Sequence, residues 1–254
     1  MGVPLLFSTR LPVAHGFSTR QGGCSAPPWD TLNLGAHVGD DPGVVEENLR
    51  RLMTAANLPL AALRRTSQVH GDRVLKVEGT ADPDGTLLPP LEEADGMWTG
   101  SSGLALGILT ADCVPVLLAD PAAGLVAAVH AGWKGTLLQI ARVAVQRMTK
   151  AGGRPARMVA ALGPSIRRCC YQVDAELAAR FGRAFGEGVA TADGPAHARL
   201  DLTEALRRTL VDAGLGEDHI DVLAHCTACD QDRFFSHRRD GGRTGRMLSF
   251  IVAP

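Results

Sequence analysis

Cys113-Val114-Pro115-Val116-Leu117-Leu118-Ala119-Asp120-Pro121-Ala122-Ala123-Gly124-Leu125-Val126-Ala127-Ala128-Val129-His130 is the stretch around which the rest of the chain can be ordered. Two apolar runs, Val114 to Ala119 and Leu125 to Val129, flank a segment rich in Pro and Gly, which predicts an antiparallel hairpin with a short loop. With the loop centred near Ala122, Cys113 lies nine positions before it and His130 eight after it. The two are then cross-strand neighbours within one register step. Their Cβ atoms stand about 5 Å apart, close enough to share a metal ion.

A third residue of the same chemistry, His70 in Gln68-Val69-His70-Gly71, also sits at the end of a strand-like run. Two imidazoles and one thiolate make a partial shell for zinc or copper, one ligand short of tetrahedral, which is the pattern of a catalytic rather than a structural site. The hairpin argument reaches only Cys113 and His130; the approach of His70 does not follow from spacing. A lone strand-end His is more often a hydrogen-bonded residue, and a buried Cys is usually a small hydrophobe. A thiolate beside His130 is equally the start of a cysteine-hydrolase dyad, and spacing does not separate the two chemistries.

At 254 residues and 45% hydrophobic content the chain has enough apolar surface for one large sheet-based domain spanning residues 1–254. A formal net charge of −1 argues against a nucleic-acid or membrane electrostatic surface and favours small-molecule chemistry. The start of the chain lacks a charged region followed by a long apolar one, and no stretch reaches about 18 uninterrupted apolar residues, so a cytoplasmic protein is expected. The six cysteines are expected to be reduced thiols, because a chain of this size needs no stapling. Nothing in the sequence fixes an oligomeric state.

Along the chain, Phe7 to Phe17 reads as extended and leads to a glycine turn, which places Arg20 on a loop rather than in packing. Asp41-Pro42-Gly43 opens a helix through Met53, with Pro in the first turn. Ser67 to His70 and Asp72 to Val77 alternate like strands around Gly71, and Leu104 to Leu109 is another strand. After His130, Leu137, Ile140, Ala144, Val145 and Met148 recur at helical spacing. Thr136 is the expected cap of that helix, its free N–H groups forming an anion site with Lys134 on the preceding loop. Met158 to Leu162 is a strand, Asp174 to Phe185 a helix, then come a Gly-rich loop, a helix from Asp201 to Ala213 and a strand from Ile220 to Ala224.

Cys226 and Cys229 form a Cys-x-x-Cys pair near His225 and His237. A second pair with finger spacing is missing, and Cys169-Cys170 would supply one only by a coincidence of folding, so no second metal site is expected here. The segment from Phe234 to Arg246 concentrates Arg around glycines, which suits phosphate or carboxylate capture and equally a solvated basic turn.

Taken in order, Phe17-Ser18-Thr19-Arg20 with Gly22-Gly23, Leu32-Asn33-Leu34-Gly35, Gln68-Val69-His70-Gly71, Thr110-Ala111-Asp112-Cys113-Val114-Pro115, Val129-His130-Ala131-Gly132-Trp133, Gly163-Pro164-Ser165-Ile166, Phe235-Ser236 with Arg238-Arg239, and Thr244-Gly245-Arg246 resemble the multicopper polyphenol oxidase or laccase-domain family, also called the peptidoglycan editing factor family. The resemblance spans nearly the whole chain. It implies an α+β fold, a single domain layered α/β/β/α with mixed sheets in the CNF/laccase-domain manner. It also implies a purine nucleoside phosphorylase that deaminates adenosine and cleaves methylthioadenosine, with purine nucleosides and phosphate as its partners.

The family's zinc ligands match His70, Cys113 and His130. Copper is the other metal the family name implies, although three ligands are too few for a multicopper cluster. Arg20, Lys134 and Arg238 are the expected anion-holding side chains, and Asn33 a neutral partner for ribose or base. Asp112 is a candidate acid by adjacency alone, since strand alternation points it away from Cys113. The competing classes are a metal-free Cys113–His130 hydrolase or peptidoglycan-precursor editing factor, a copper polyphenol oxidase, and a non-enzymatic factor with structural zinc.

Overall fold

The structure is a computed structural model that describes residues 2–82 and 84–254. Its strands in chain order begin with β1 (Leu5–Leu6), β2 (His15–Ser18), β3 (Leu63–Arg64), β4 (Thr66–Ser67), β5 (Val74–Lys76), β6 (Leu91–Glu93), β7 (Gly96–Thr99) and β8 (Ala105–Thr110). They continue with β9 (Val114–Asp120), β10 (Leu125–Ala131), β11 (Val159–Leu162), β12 (Gln172–Asp174), β13 (Ala190–Ala192), β14 (His197–Leu200), β15 (Ile220–Val222) and β16 (Met247–Val252). The α-helices are α1 (Pro42–Ala55), α2 (Trp133–Leu137), α3 (Ile140–Lys150), α4 (Ala175–Phe185) and α5 (Leu202–Asp212).

Two sheets face one another. One has the order β1-β2-β16-β8-β3 and the other β15-β11-β9-β10-β7-β5. Period-two alternation explains the layering. Leu117 and Ala119 of β9 and Val126 and Ala128 of β10 meet Phe17, Leu106, Ile108 and Ile251 of the other sheet. On the same strands, Val116, Leu118, Ala127 and Val129 turn outward to Ile140, Ala144 and Met148 of α3 and Leu206 of α5. The outer face of the five-stranded sheet, Leu248, Phe250 and Val252, is covered by Val45, Leu49 and Leu52 of α1. The result is the helix, sheet, sheet, helix stack expected from the resemblance, and both sheets mix parallel and antiparallel pairs. Among the described residues no helix is long and apolar enough to cross a membrane.

The central hairpin is present, but its register corrects the sequence estimate. Leu125 pairs with Asp120 and His130 with Pro115, so the loop centre lies past Ala122 and continuing the ladder sets Gly132 opposite Cys113. Cys113 and His130 are therefore diagonal neighbours on one face, two positions apart. Asp120 caps the 3-10 turn Pro121–Ala123 and Gly124 closes it at a φ of 65°, a left-handed conformation that glycine adopts without a Cβ penalty.

Two further expectations change. The helix after His130 starts at Trp133, stops at Leu138, and restarts after Gln139, which has a φ of 64°. Thr136 is thus a buried residue inside α2 whose hydroxyl donates to the Gly132 carbonyl at 2.8 Å, not a cap, and Lys134 lies on the helix rather than on a loop. The segment read as a Gly-rich loop contains β13 and β14, which form a small sheet with β12. These are strands of three and four residues, too short for alternation to stand out.

Candidate active site

Asp95, directly before β7 and fully buried, organises this end of the six-stranded sheet. Its carboxylate accepts the backbone N–H groups of Val69 at 3.1 Å, His70 at 2.9 Å and Gly71 at 2.7 Å. That clamp holds His70 in a left-handed bend, φ 62°, a conformation that carries strain for a residue with a Cβ and persists where its surroundings fix it. His70 is thus exposed on a clamped bend and not at the end of a strand.

Asp95 also receives the Nδ1 of buried His130 at 2.7 Å, and its own carbonyl accepts the His130 N–H at 2.7 Å. Because a carboxylate only accepts, Nδ1 carries the proton and Nε2 is the nitrogen free for other chemistry. The His70 and His130 rings meet edge to face with centroids 4.8 Å apart. One ligand atom each of His70, Cys113 and His130 lies within 4.8 Å of the others. The structure therefore brings together all three residues singled out in the sequence, including the one spacing did not reach.

The donor set suits a metal ion, being two imidazole nitrogens and one sulfur with an aspartate orienting one imidazole from behind. Without metal the group is an ion pair. Burial pushes the Cys113 thiol up, but the charge and hydrogen bond of His130, with His70 adding, outweigh it and bring the thiol down to about 6. Burial pushes the His130 imidazole down, but the Cys113 thiolate and the Asp95 carboxylate outweigh it and raise it to about 9. Ligation by zinc or copper replaces the proton on Nε2, so metal and proton compete for this site.

Gly132 leaves the room this cluster uses. A Cβ there would stand 3.0 Å from the Cys113 sulfur and 3.2 Å from Cδ2 of His70. Its backbone, at φ −77° and ψ 178°, is open to any residue. Gly132→Ala is accordingly expected to leave the unfolding midpoint near that of the parent while weakening metal retention at least about tenfold, since small displacements at a reacting centre are costly. Dialysis against a graded chelator followed by metal analysis checks this; unchanged retention would show that the ligands do not need this space.

The other expected residues are dispersed. Arg20 is packed rather than presented: Nε donates to the Asp30 carbonyl at 2.7 Å, Nη2 pairs with the Asp30 carboxylate at 3.1 Å, and the guanidinium lies 4.6 Å over the Phe235 ring. Asn33 is fully buried, donating to Asp40 and Gly35 and accepting the N–H groups of Gly35 and Arg246, so its amide is spent on holding the loop. Lys134 is exposed, 5.5 Å over Trp133. Arg238 is exposed, 5.2 Å over the Tyr171 ring, with Nη1 donating to the Gln172 carbonyl.

Asp112 has a φ of 92°, which breaks the strand alternation used to orient it. Its carboxylate accepts Thr227 Oγ1 at 2.6 Å and the Arg238 N–H at 2.7 Å. It ties the segment 227–238 to the base of Cys113.

Sequence reasoning missed three side chains here. Asp95 looks like its acidic neighbours Glu92 and Glu93, and only its place at the start of an apolar run sets it apart. Tyr171, the chain's one tyrosine, is pushed up to about 12 by burial and then by the negative charges of Cys113 and Asp112, which outweigh Arg238. Arg246 is half-buried; burial lowers its guanidinium, and Cys113 and Asp112 partly restore it.

Residues 14–254 match the family model described as multi-copper polyphenol oxidoreductase laccase. The chain belongs to this family. Among the laccase-type relatives, the purine nucleoside phosphorylase of Deinococcus radiodurans is 42% identical over 100% of this chain and 94% of its own length. Purine nucleoside phosphorylase YlmD of Bacillus subtilis is 38% identical over 94% of this chain and 88% of its own. The crystal structure of YlmD from Geobacillus stearothermophilus superposes with a TM-score of 0.90 at 37% identity, covering 100% of this chain and 96% of that one.

Proposed function

We propose that this member of the laccase-type family is a zinc-dependent purine nucleoside phosphorylase acting on adenosine, inosine, guanosine and methylthioadenosine, with adenosine deaminase activity at the same site. The observation that carries the reading is the His70–Cys113–His130 group with His130 oriented by Asp95, in a chain whose relatives bear the phosphorylase name. His70, Cys113 and His130 would hold the zinc, which would supply Lewis acidity at the site.

Phosphorolysis transfers the ribose C1′ from the purine nitrogen to a phosphate oxygen through a state with oxocarbenium character. Most of its rate comes from holding the anion in place. Arg238 and Lys134 are the exposed cations suited to that task, and half-buried Arg246 adds positive charge beside Cys113 and Asp112. Arg20 and Asn33 act by fixing loops rather than by touching substrate. Tyr171, beneath Arg238, offers a neutral hydroxyl at neutral pH.

The test is incubation of metal-quantified protein with adenosine, with and without phosphate, and separation of the products. Inosine formed without phosphate, and free base with ribose 1-phosphate formed only with it, are expected; both vanish on metal removal and return with zinc. Folded, zinc-loaded protein that leaves every nucleoside untouched would refute the reading.

A metal-free Cys113–His130 hydrolase is the second reading, favoured by the ion pair described above. It requires a covalent adduct on Cys113 and activity that survives chelation. Stoichiometric zinc without an adduct excludes it.

A further inference from the structure

Four cysteines that the sequence left apart converge on one point. Cys169 and Cys170 lie in the turn between β11 and β12, and Cys226 and Cys229 in the turn after β15. β11 and β15 are parallel neighbours, and the chain beyond them stays paired: Ser165 bridges Cys226, with the Ser165 N–H donating to the His225 carbonyl and the Thr227 N–H to the Ser165 carbonyl. This zip delivers both turns to the same place. The expectation of no second metal site rested on spacing alone, and the parallel pair of strands is what spacing could not show.

The four sulfurs lie within 4.8 Å of one another, with Cys170 to Cys229 at 3.3 Å and Cys169 to Cys229 at 3.6 Å. Zinc–sulfur bonds of about 2.3 Å in a tetrahedron place sulfurs about 3.8 Å apart, within the observed spread. All four cysteines are free. Backbone N–H groups of Arg167, Cys229 and Ala228 are directed at the Cys226 sulfur, a set of donors that steadies a thiolate ligand. We propose that Cys169, Cys170, Cys226 and Cys229 form a second, structural zinc site, separate from the His70–Cys113–His130 group.

Its role follows from what the two turns carry. Thr227, between Cys226 and Cys229, donates to Asp112. Arg199 of the small sheet donates to the Cys169 carbonyl. A closed four-thiolate site, with no open position, fixes both turns against each other and so fixes the floor on which Asp112 and Cys113 stand.

Cobalt titration of the full-length Cys113→Ala chain, purified under reducing conditions, tests this without reference to the first site, because that variant has lost its sulfur ligand there. One cobalt per chain is expected, with the charge-transfer absorption of a four-thiolate tetrahedral site, displaced by one equivalent of zinc and accompanied by protection of four thiols from alkylation. Cys170→Ser in the same background is expected to lose that absorption while circular dichroism reports a folded chain. Should the serine variant fail to fold, the cobalt stoichiometry and the count of protected thiols decide alone. Folded, reduced Cys113→Ala protein that takes up no cobalt into thiolate coordination, or that holds iron or a disulfide at these four positions, overturns the proposal.

Discussion

Asp95→Ala is expected to lower folding stability by about 3–5 kcal/mol, the scale for removing one partner of a buried charged cluster. The carboxylate is wholly excluded from water and accepts four donors, the N–H groups of Val69, His70 and Gly71 and the Nδ1–H of His130. Alanine leaves all four without a partner, and each buried unpaired group costs about 1–3 kcal/mol before any relaxation toward water. Relaxation near the exposed His70 bend keeps the sum below four full penalties. Burial pushes the Asp95 carboxyl up, but His130 and the backbone donors outweigh it and hold it below its ordinary value. Its contribution is therefore fully present above about pH 4 and fades only as the pH falls through the lower folded value. Urea unfolding of parent and variant at pH 7 and at pH 3 measures this. A midpoint at pH 7 unchanged within about 1 kcal/mol would show that the clamp is idle. Asp95→Asn keeps one acceptor oxygen and should fall between the two.

Cys113→Ala should show the opposite balance, with stability close to the parent and turnover gone. The side chain is small and half-buried, and without its thiolate His130 can shed its proton instead of remaining an unpaired charge. Lewis-acid assistance is worth several kcal/mol at the transition state. For the function proposed above, at about 1.4 kcal/mol per decade, that predicts a loss of roughly a thousandfold or more in both phosphorolysis and deamination. Zinc held by the first site should fall in parallel, and His130 should titrate lower than in the parent because its principal charged partner has gone. Retained activity in the alanine variant would remove Cys113 from the chemistry altogether. Loss of activity with undiminished first-site zinc would make it a nucleophile rather than a ligand.

The contrast between these two substitutions also marks what the sequence made legible. Cys113 and His130 come together by counting along a hairpin whose turn chemistry is local; the count sets them one register step apart where the ladder has two, and it is the even offset of the ladder that puts both on one face. α1, α4 and α5 were equally readable from caps at Asp41, Asp174 and Asp201, each of which accepts a backbone N–H of its own first turn. Asp95 was not, because its importance comes from three backbone donors 24 to 26 residues earlier in the chain and an imidazole 35 residues later. The four-cysteine group failed to appear for the same reason: it is assembled by a parallel pairing across some 60 residues, and parallel neighbours are joined by a long crossover that leaves no periodic trace. Thr136 lies inside α2 and not at a cap, because a short helix that breaks at Gln139 and resumes keeps nearly the same apolar spacing as an unbroken one.

The position of β16 carries a consequence for how a ribosome delivers this molecule. That strand sits between β2 and β8, and its Leu248 N–H reaches Ser18 across 230 residues of chain. Until β16 emerges, two strand edges and much of the apolar face of α1 have no partner, while β7, β9, β10 and β11 can already zip together. The nascent chain thus spends most of its synthesis as half a sandwich with an open seam. Molecular chaperones that shield strand edges, and any truncation that trims the residues after Thr244, should affect yield far more than their distance from the chemistry would suggest.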